Sequence, residues 1–212
     1  MQLQPTQRSK MDESNDLSFY DTPRFVTHVD DGFIQQLTDL YRDRLQAQTR
    51  IFDMMSSWVS HLPEDLEFDH VEGHGMNEDE LAKNPRLDHY FVQNLNQNQL
   101  LPLPDQSFDA VLNTVSVQYL QHPEAVFAEI YRILKPGGIA IISFSNRMFP
   151  NKAIAAWRDG SEGDRVEWVN AYFAAVPGFS KSEVIARPSS SFMQMLGMGG
   201  DPFYAVTATR QD

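Results

Sequence analysis

The chain predicts an α/β fold, a doubly wound and mostly parallel sheet with helices on both faces. Strand-like and helix-like segments alternate from about residue 22 to Phe144, the order that builds parallel βαβ units. Ile139 to Phe144 (IAIISF) is an unbroken apolar run, the pattern of a strand covered on both sides. The segment before it has both ends of a helix marked. Pro123 takes the first helical position after His122, Val126, Ile130, Ile133 and Leu134 share one face, and Lys135-Pro136-Gly137-Gly138 closes it.

Residues 22 to 46 read as one or two helices, because Phe33, Ile34, Leu37, Leu40, Tyr41 and Leu45 recur at helical spacing. Thr49 to Asp53 reads as a short strand ending on an acid. Ser56 to Leu62 is expected to be helical and stopped by Pro63. Leu66 to Val71 reads as a second strand. Asn77 followed by Glu80 has the form of a capping box and predicts a short helix ended at Asn84-Pro85. Tyr90 to Val92 is a third strand, Pro102 to Ser107 a loop, and Phe108 to Val115 a buried strand. A helical region follows from about Lys152 to Val176. Two last strand-like runs, Glu183 to Ala186 and Phe203 to Thr209, are placed to pair as an antiparallel hairpin at the sheet edge.

The 212 residues suffice for one domain with a sizeable core. A net charge of -12 argues against a nucleic-acid partner, since such binding is driven by Lys and Arg neutralising phosphates. The absence of cysteine excludes disulfides, thiolate metal sites and cysteine nucleophiles, and suits a cytoplasmic protein. No apolar run approaches the length of a membrane span. The first 16 residues have no apolar core, which does not fit a secretory signal, and are expected to be frayed. The six histidines (His28, His61, His70, His74, His89 and His122) are scattered, and His70 with His74 on one strand face gives two metal ligands without a third. Neither a G-x-S-x-G elbow, a P-loop nor a G-x-G-x-x-G fingerprint occurs.

Residues 102 to 146, PLPDQSFDAVLNTVSVQYLQHPEAVFAEIYRILKPGGIAIISFSN, carry the recognisable sequence. The LPLPDQSFDAV loop and strand, the VQYLQHP turn, the FAEIYRILKPGG helix end and the IAIISFSN strand stand in order. This segment resembles the second half of class I S-adenosylmethionine (SAM)-dependent methyltransferases of the methyltransferase type 11 kind. The likeness is to the small-molecule branch that includes the ubiquinone and menaquinone C-methyltransferases. The resemblance implies a Rossmann-like, mostly parallel seven-stranded sheet with an antiparallel last strand. It also implies SAM as cofactor and a small-molecule substrate. On that reading residues 1–46 are an N-terminal arm and helices, a possible lid, and residues 47–212 the methyltransferase domain. Phe19, Tyr20 and Phe25 of the arm would anchor a peripheral helix or close the opening, and Met193, Met195 and Met198 would simply pack or form an apolar rim.

The resemblance carried backwards implies the cofactor site residue by residue. The family has a strand, an acid and a D-x-G-x-G loop that lets backbone approach the methionine part of SAM. Here Asp53 ends the strand, but Met54-Met55-Ser56-Ser57 follows without a glycine. Ser56 and Ser57 would offer donors to the carboxylate at a helix N-terminus. The acid that holds the ribose is absent. Gly75 stands there with Met76 after it, and Glu72 is expected to face elsewhere. Asn94 replaces the adenine-reading Asp, with Leu95 following, and Asn113, Thr114 and Val115 would line the cofactor edge. Candidate catalytic groups are Tyr119, His122 and Arg147, the last as a cation for an anionic substrate. His61 and His74 lie beside the first two loops. The eroded loop leaves a second reading, a binding or regulatory protein that kept the fold and lost catalysis.

Overall fold

The computed structural model describes residues 3–188 and 200–212. Seven strands form one sheet in the order β3-β2-β1-β4-β5-β7-β6. They are β1 (Arg50–Asp53), β2 (His70–Gly75), β3 (His89–Val92), β4 (Phe108–Thr114), β5 (Leu134–Phe144), β6 (Glu183–Arg187) and β7 (Phe203–Thr209). β1 to β5 pair in parallel, and β7 runs antiparallel to both β5 and β6. The last two strands do form an antiparallel pair, but β7 lies inside and β6 is the edge. Their sequences explain the order. FYAVTAT is buried at all but its final residue, whereas EVIAR puts Glu183 and Arg187 on an exposed strand that tolerates a free edge.

Helices cover the sheet on both sides. On one face α2 (Asp31–Arg44) buries Phe33, Leu37, Leu40 and Tyr41 against Ile51, Leu112, Ile141 and Ala205. On the other, α4 (Pro123–Ile133) and α6 (Glu162–Ala174) pack Phe127, Ile130, Val169 and Phe173 with Phe52, Val111 and Ile142. The shorter helices are α1 (Asp16–Tyr20), α3 (Glu78–Lys83) and α5 (Ala155–Arg158). Asn77 caps α3 by accepting from the Glu80 N–H, as its spacing predicts. Glu80 does not return the bond and instead accepts from the Arg24 N–H. No described helix is long and apolar enough to cross a membrane.

Several expectations are corrected. Ser56 to Leu62 forms no helix. Its main-chain groups go to distant partners. The Ser56 N–H donates to the His74 carbonyl, and the carbonyls of Ser57 and His61 accept from Asn84 Nδ2 and Thr38 Oγ1. Met55 and His61, with φ of 58° and 55°, cannot sit in a right-handed helix. β2 begins at His70 rather than Leu66, because β1 pairs with it only from Arg50 onward. Residues 22 to 30 are not helical, and Asp30 is the cap of α2, accepting from the Phe33 N–H. The region from Lys152 to Val176 is divided at Gly160, after which Ser161 and Asp164 form a capping box that starts α6 afresh. The amino-terminal residues from Leu3 are not frayed. Arg8 forms a two-pronged bond to Glu124, and the Ala155 N–H donates to the Ser9 carbonyl.

Candidate functional site

A cavity of about 320 Å³ opens at the carboxyl ends of β1 to β4, the crevice where open α/β sheets place ligands. Its volume lies in the range of small-molecule sites. Of the residues expected to contact a cofactor, Asp53, Ser56, Ser57, Gly75, Met76, Asn94, Leu95 and Thr114 line it. Met54 and Asn113 do not. Met54 is fully buried in the sheet core, and Asn113 Nδ2 donates to the Met54 carbonyl from a fully buried position. Tyr119 and Arg147 line the cavity, while His122 is exposed at the start of α4 and does not. Trp58 is also outside it, donating its indole N–H to the Val26 carbonyl. Met193, Met195 and Met198 lie outside the described residues.

Asp53 is the most unusual group in the wall. Its carboxylate is 4% exposed and accepts from Ser56 Oγ at 2.6 Å, yet it forms no ion pair among the described residues. Burial pushes its pKa up to about 6, against the hydroxyls of Ser56 and Ser60, which lower it. A buried, uncompensated carboxylate of this kind gains from any cation brought beside it.

The turn after Asp53 keeps a glycine-like backbone without glycine. Met55 occupies the first glycine position of the expected pattern with φ of 58°, a region that residues with a side chain adopt only at a cost. His74 stands behind it. The imidazole is 1% exposed, Nδ1 accepts from the Met55 N–H at 3.1 Å, and Nε2 donates to the Gln93 carbonyl at 2.9 Å. Burial pushes its pKa down to about 4, so the ring is neutral. His61 and Val115 also line the cavity with positive φ, and for a β-branched residue such as Val115 that is a true outlier. Ser116, beside Val115, has a buried hydroxyl with no partner.

On the ribose side Gly75 leaves no room for an acid, since a Cβ there would come within 2.7 Å of the Ser56 carbonyl. Glu72 faces away, bonded to His70 and His89. Asn94 Oδ1 accepts from the Asn96 N–H in a local turn. Glu80 of α3 lines the same wall, its carboxyl raised by burial. No group of three or more His, Asp or Glu among the described residues is arranged to hold a metal.

The arm supplies the remaining wall through Lys10, Asp16, Tyr20, Arg24 and residues 26 to 29. Lys10 donates to Asp16 at 2.6 Å, and Lys152, which is fully buried, reaches Asp12 at 3.0 Å and Asp16 at 3.3 Å. Asn96 binds Asp16 as well, joining the arm to the loop after β3. The Arg24 guanidinium lies over Phe19, Tyr20 and Phe149, 4.7 to 5.8 Å from the ring centroids. It is the one cation of the described wall without a carboxylate partner, because Arg147 Nε is bonded to Asp201 at 2.7 Å. Sequence reasoning did not find Lys10, Asp16, Arg24, Glu80, Ser116 or Lys152. Lys10, Asp16 and Arg24 lie on the arm, a segment with no motif, and reach the cavity only when it folds back, while Lys152 stands behind them on Asp12 and Asp16.

The model of the family described as "Methyltransferase domain" matches residues 74–142. A malonyl-[acyl-carrier protein] O-methyltransferase of Marinomonas is 33% identical over 75 residues, which is 35% of this chain and 27% of the relative. The chain spans only 11 to 27% of the length of the curated relatives it matches. Among solved structures, a SAM-dependent methyltransferase from Archaeoglobus fulgidus superposes with a TM-score of 0.60 at 13% identity, over 84% of this chain and 94% of that one. A Haemonchus contortus phosphoethanolamine N-methyltransferase, solved with S-adenosylhomocysteine, does so with a TM-score of 0.59 at 15% identity, over 84% and 52%. Strand order, the antiparallel final strand and the matched segment agree. Over residues 74–142 the chain is similar to the methyltransferase-domain family, and its fold is the one that SAM-dependent methyltransferases share.

Proposed function

We propose that the protein is a SAM-dependent methyltransferase acting on a small molecule, with the donor held against the loops after β1, β2 and β3. The observation that carries this is Asp53, a buried carboxylate lining the cavity without a cation of its own. The methionine end of SAM brings an ammonium, and the left-handed turn at Met55 keeps the backbone path that a ligand needs there. The residues fit the group on these grounds. When bound, SAM supplies an electrophilic methyl on a sulfonium, transferred in line to a nucleophile.

What the chain's residues contribute is mainly placement and exclusion of water. Asp53 holds the ammonium, and Ser56 fixes the carboxylate rotamer. Asn94, Leu95 and Met76 contact the adenosine end, and Glu80 lines the same wall as Gly75 and Met76. Thr114 lines the cofactor edge. The arm of residues 1–46 closes the acceptor side with Tyr20 and Arg24. Tyr119 accepts from the Phe149 N–H, so its own proton is free to be donated to an acceptor. The aromatic wall with the unpaired Arg24 suits an acceptor with an apolar or ring body and an anionic group, while Arg147 at the rim is engaged with Asp201. The relative named as a malonyl-[acyl-carrier protein] O-methyltransferase agrees with an anionic acceptor.

Transfer of radiolabel from methyl-labelled SAM to a panel of small aromatic and aliphatic carboxylates, phosphates and neutral phenols tests the reading. Labelling of anionic members, reduced at least tenfold in Arg24→Ala, supports it. Labelling confined to neutral members contradicts the anionic acceptor, and no labelling of any member contradicts a small-molecule transferase.

A further inference from the structure

We propose that His74 is a positioning residue for the donor site, holding the glycine-free loop in a left-handed turn that glycine would otherwise adopt unaided. Where it bears on cofactor affinity, this rests on the reading above; the geometry itself does not.

The turn at Met55 needs an outside restraint. With φ of 58° the residue sits where a Cβ crowds the main chain, and no helix follows to hold the loop by its own ladder. Restraint comes from one residue on the neighbouring strand. The His74 carbonyl accepts from the Ser56 N–H at 2.7 Å, and its Nδ1 accepts from the Met55 N–H at 3.1 Å, so two successive amides of the turn end on it.

The other nitrogen makes the arrangement specific. Nε2 faces the Gln93 carbonyl at 2.9 Å, an acceptor only, so it carries the proton and Nδ1 is the bare acceptor. The two bonds therefore require each other's tautomer. Gln93 directly precedes Asn94 and Leu95, which line the cavity. One imidazole thus fixes the spacing between the loop at the methionine end and the loop at the adenine end. Phe52 and Phe91 flank the ring at 6.3 and 5.1 Å between centroids, which keeps it from turning and keeps water out. Among the described residues His74 forms no ion pair. The low pKa from burial agrees with a permanently neutral ring.

Three variants of the full chain separate positioning from bulk packing. His74→Phe keeps a ring but loses both bonds, His74→Asn keeps an acceptor near Nδ1, and Met55→Gly removes the need for restraint. In calorimetry with S-adenosylhomocysteine, His74→Phe is expected to weaken affinity at least tenfold while circular dichroism shows a folded protein. His74→Asn should lie within about threefold of wild type, and Met55→Gly added to His74→Phe should recover most of the loss. Unfolding gives a readout independent of ligand: Met55→Gly should raise the melting temperature more in the His74→Phe background than in wild type. Nitrogen chemical shifts of the wild-type ring should show the Nε2–H tautomer. The proposal is overturned if Met55→Gly shifts melting equally in both backgrounds, or if the ring is the Nδ1–H tautomer. If wild type takes up no S-adenosylhomocysteine the donor reading fails, and the melting cycle still decides the role of His74. If His74→Phe does not fold, the cycle is run on His74→Gln, which keeps only the donor side, with the same criteria.

Discussion

At Asp53 the electrostatics and the proposed chemistry coincide. The carboxylate is buried, bonded to a serine and without a cation among the described residues, and burial pushes its pKa up to about 6. An ammonium beside it would stabilise the ionised form, so uptake of the donor should release a proton when the solution is near pH 6. Affinity for S-adenosylhomocysteine is expected to fall as pH drops below about 6, and Asp53→Asn should abolish that dependence while weakening affinity at pH 7.5 at least tenfold, about 1.4 kcal/mol. Calorimetry in two buffers of different ionisation enthalpy measures both. An Asp53→Asn protein with wild-type affinity contradicts the assignment. Asp53 was legible in the sequence because an acid at the end of the first strand is a positional mark. His74 was legible only as a histidine beside the second loop. Its role depends on the fold of a loop that no glycine announces, so the residue that compensates for the missing glycine is seen only once Met55 has a φ value.

Among the elements, the amino-terminal arm departs furthest from what its composition suggests. A polar stretch without an apolar run reads as frayed, yet it is tied down by ions that the sequence places far apart. Lys152 follows β5, while Asp12 and Asp16 come from the arm, and all three meet beside the cavity. Removing one partner from such a cluster leaves buried cations uncompensated. Asp16→Ala is therefore expected to lower the unfolding free energy by about 3 kcal/mol and to hasten proteolysis within residues 3–30. Urea denaturation and limited proteolysis measure these effects. A change below about 0.5 kcal/mol with an unaltered digestion pattern contradicts the arm's anchoring. The loop after β1 departs in the opposite direction. Serines and an apolar tryptophan before a proline suggest a helix, but tertiary partners claim the main-chain groups first. Most strands and the start of α4 were legible to within a few residues, because apolar runs and Pro123 are local signals, but Leu134 to Gly138, expected to finish and close α4, instead begin β5 with an irregular register. Gly137 indeed takes φ of 79°.

For the whole molecule, two buried titrations on neighbouring strands oppose one another. Asp53 has a folded pKa of about 6 against 3.8 for a free side chain, so between those values the folded state holds a proton that the unfolded chain has released. Its contribution to stability is present below about pH 4 and is lost as pH rises through about 6. His74 has a folded pKa of about 4 against 6.5, so the unfolded chain holds the extra proton and stability grows as pH rises across that interval. Each effect is on the order of 3 kcal/mol. Wild type should then show a shallow profile from pH 4 to 6.5. Asp53→Asn should give stability that rises with pH over this range, and His74→Phe stability that falls. Chemical denaturation at a series of pH values reads the slopes, and parallel profiles for all three proteins contradict the pairing. The architecture was readable from the sequence for a related reason of scale. The alternation of strands and helices follows from many weak apolar signals that agree, whereas the cavity wall depends on single side chains brought together from the arm, α3 and the loops.

The central claim is that the crevice above β1 to β4 accepts a SAM-type nucleoside despite a donor loop without glycine. Calorimetric titration of the full chain with S-adenosylhomocysteine at pH 7.5 tests it most directly. The account predicts one site per chain with a dissociation constant in the micromolar range or tighter. A folded protein that gives no saturable heat at millimolar ligand, with an undisturbed melting temperature, would contradict it.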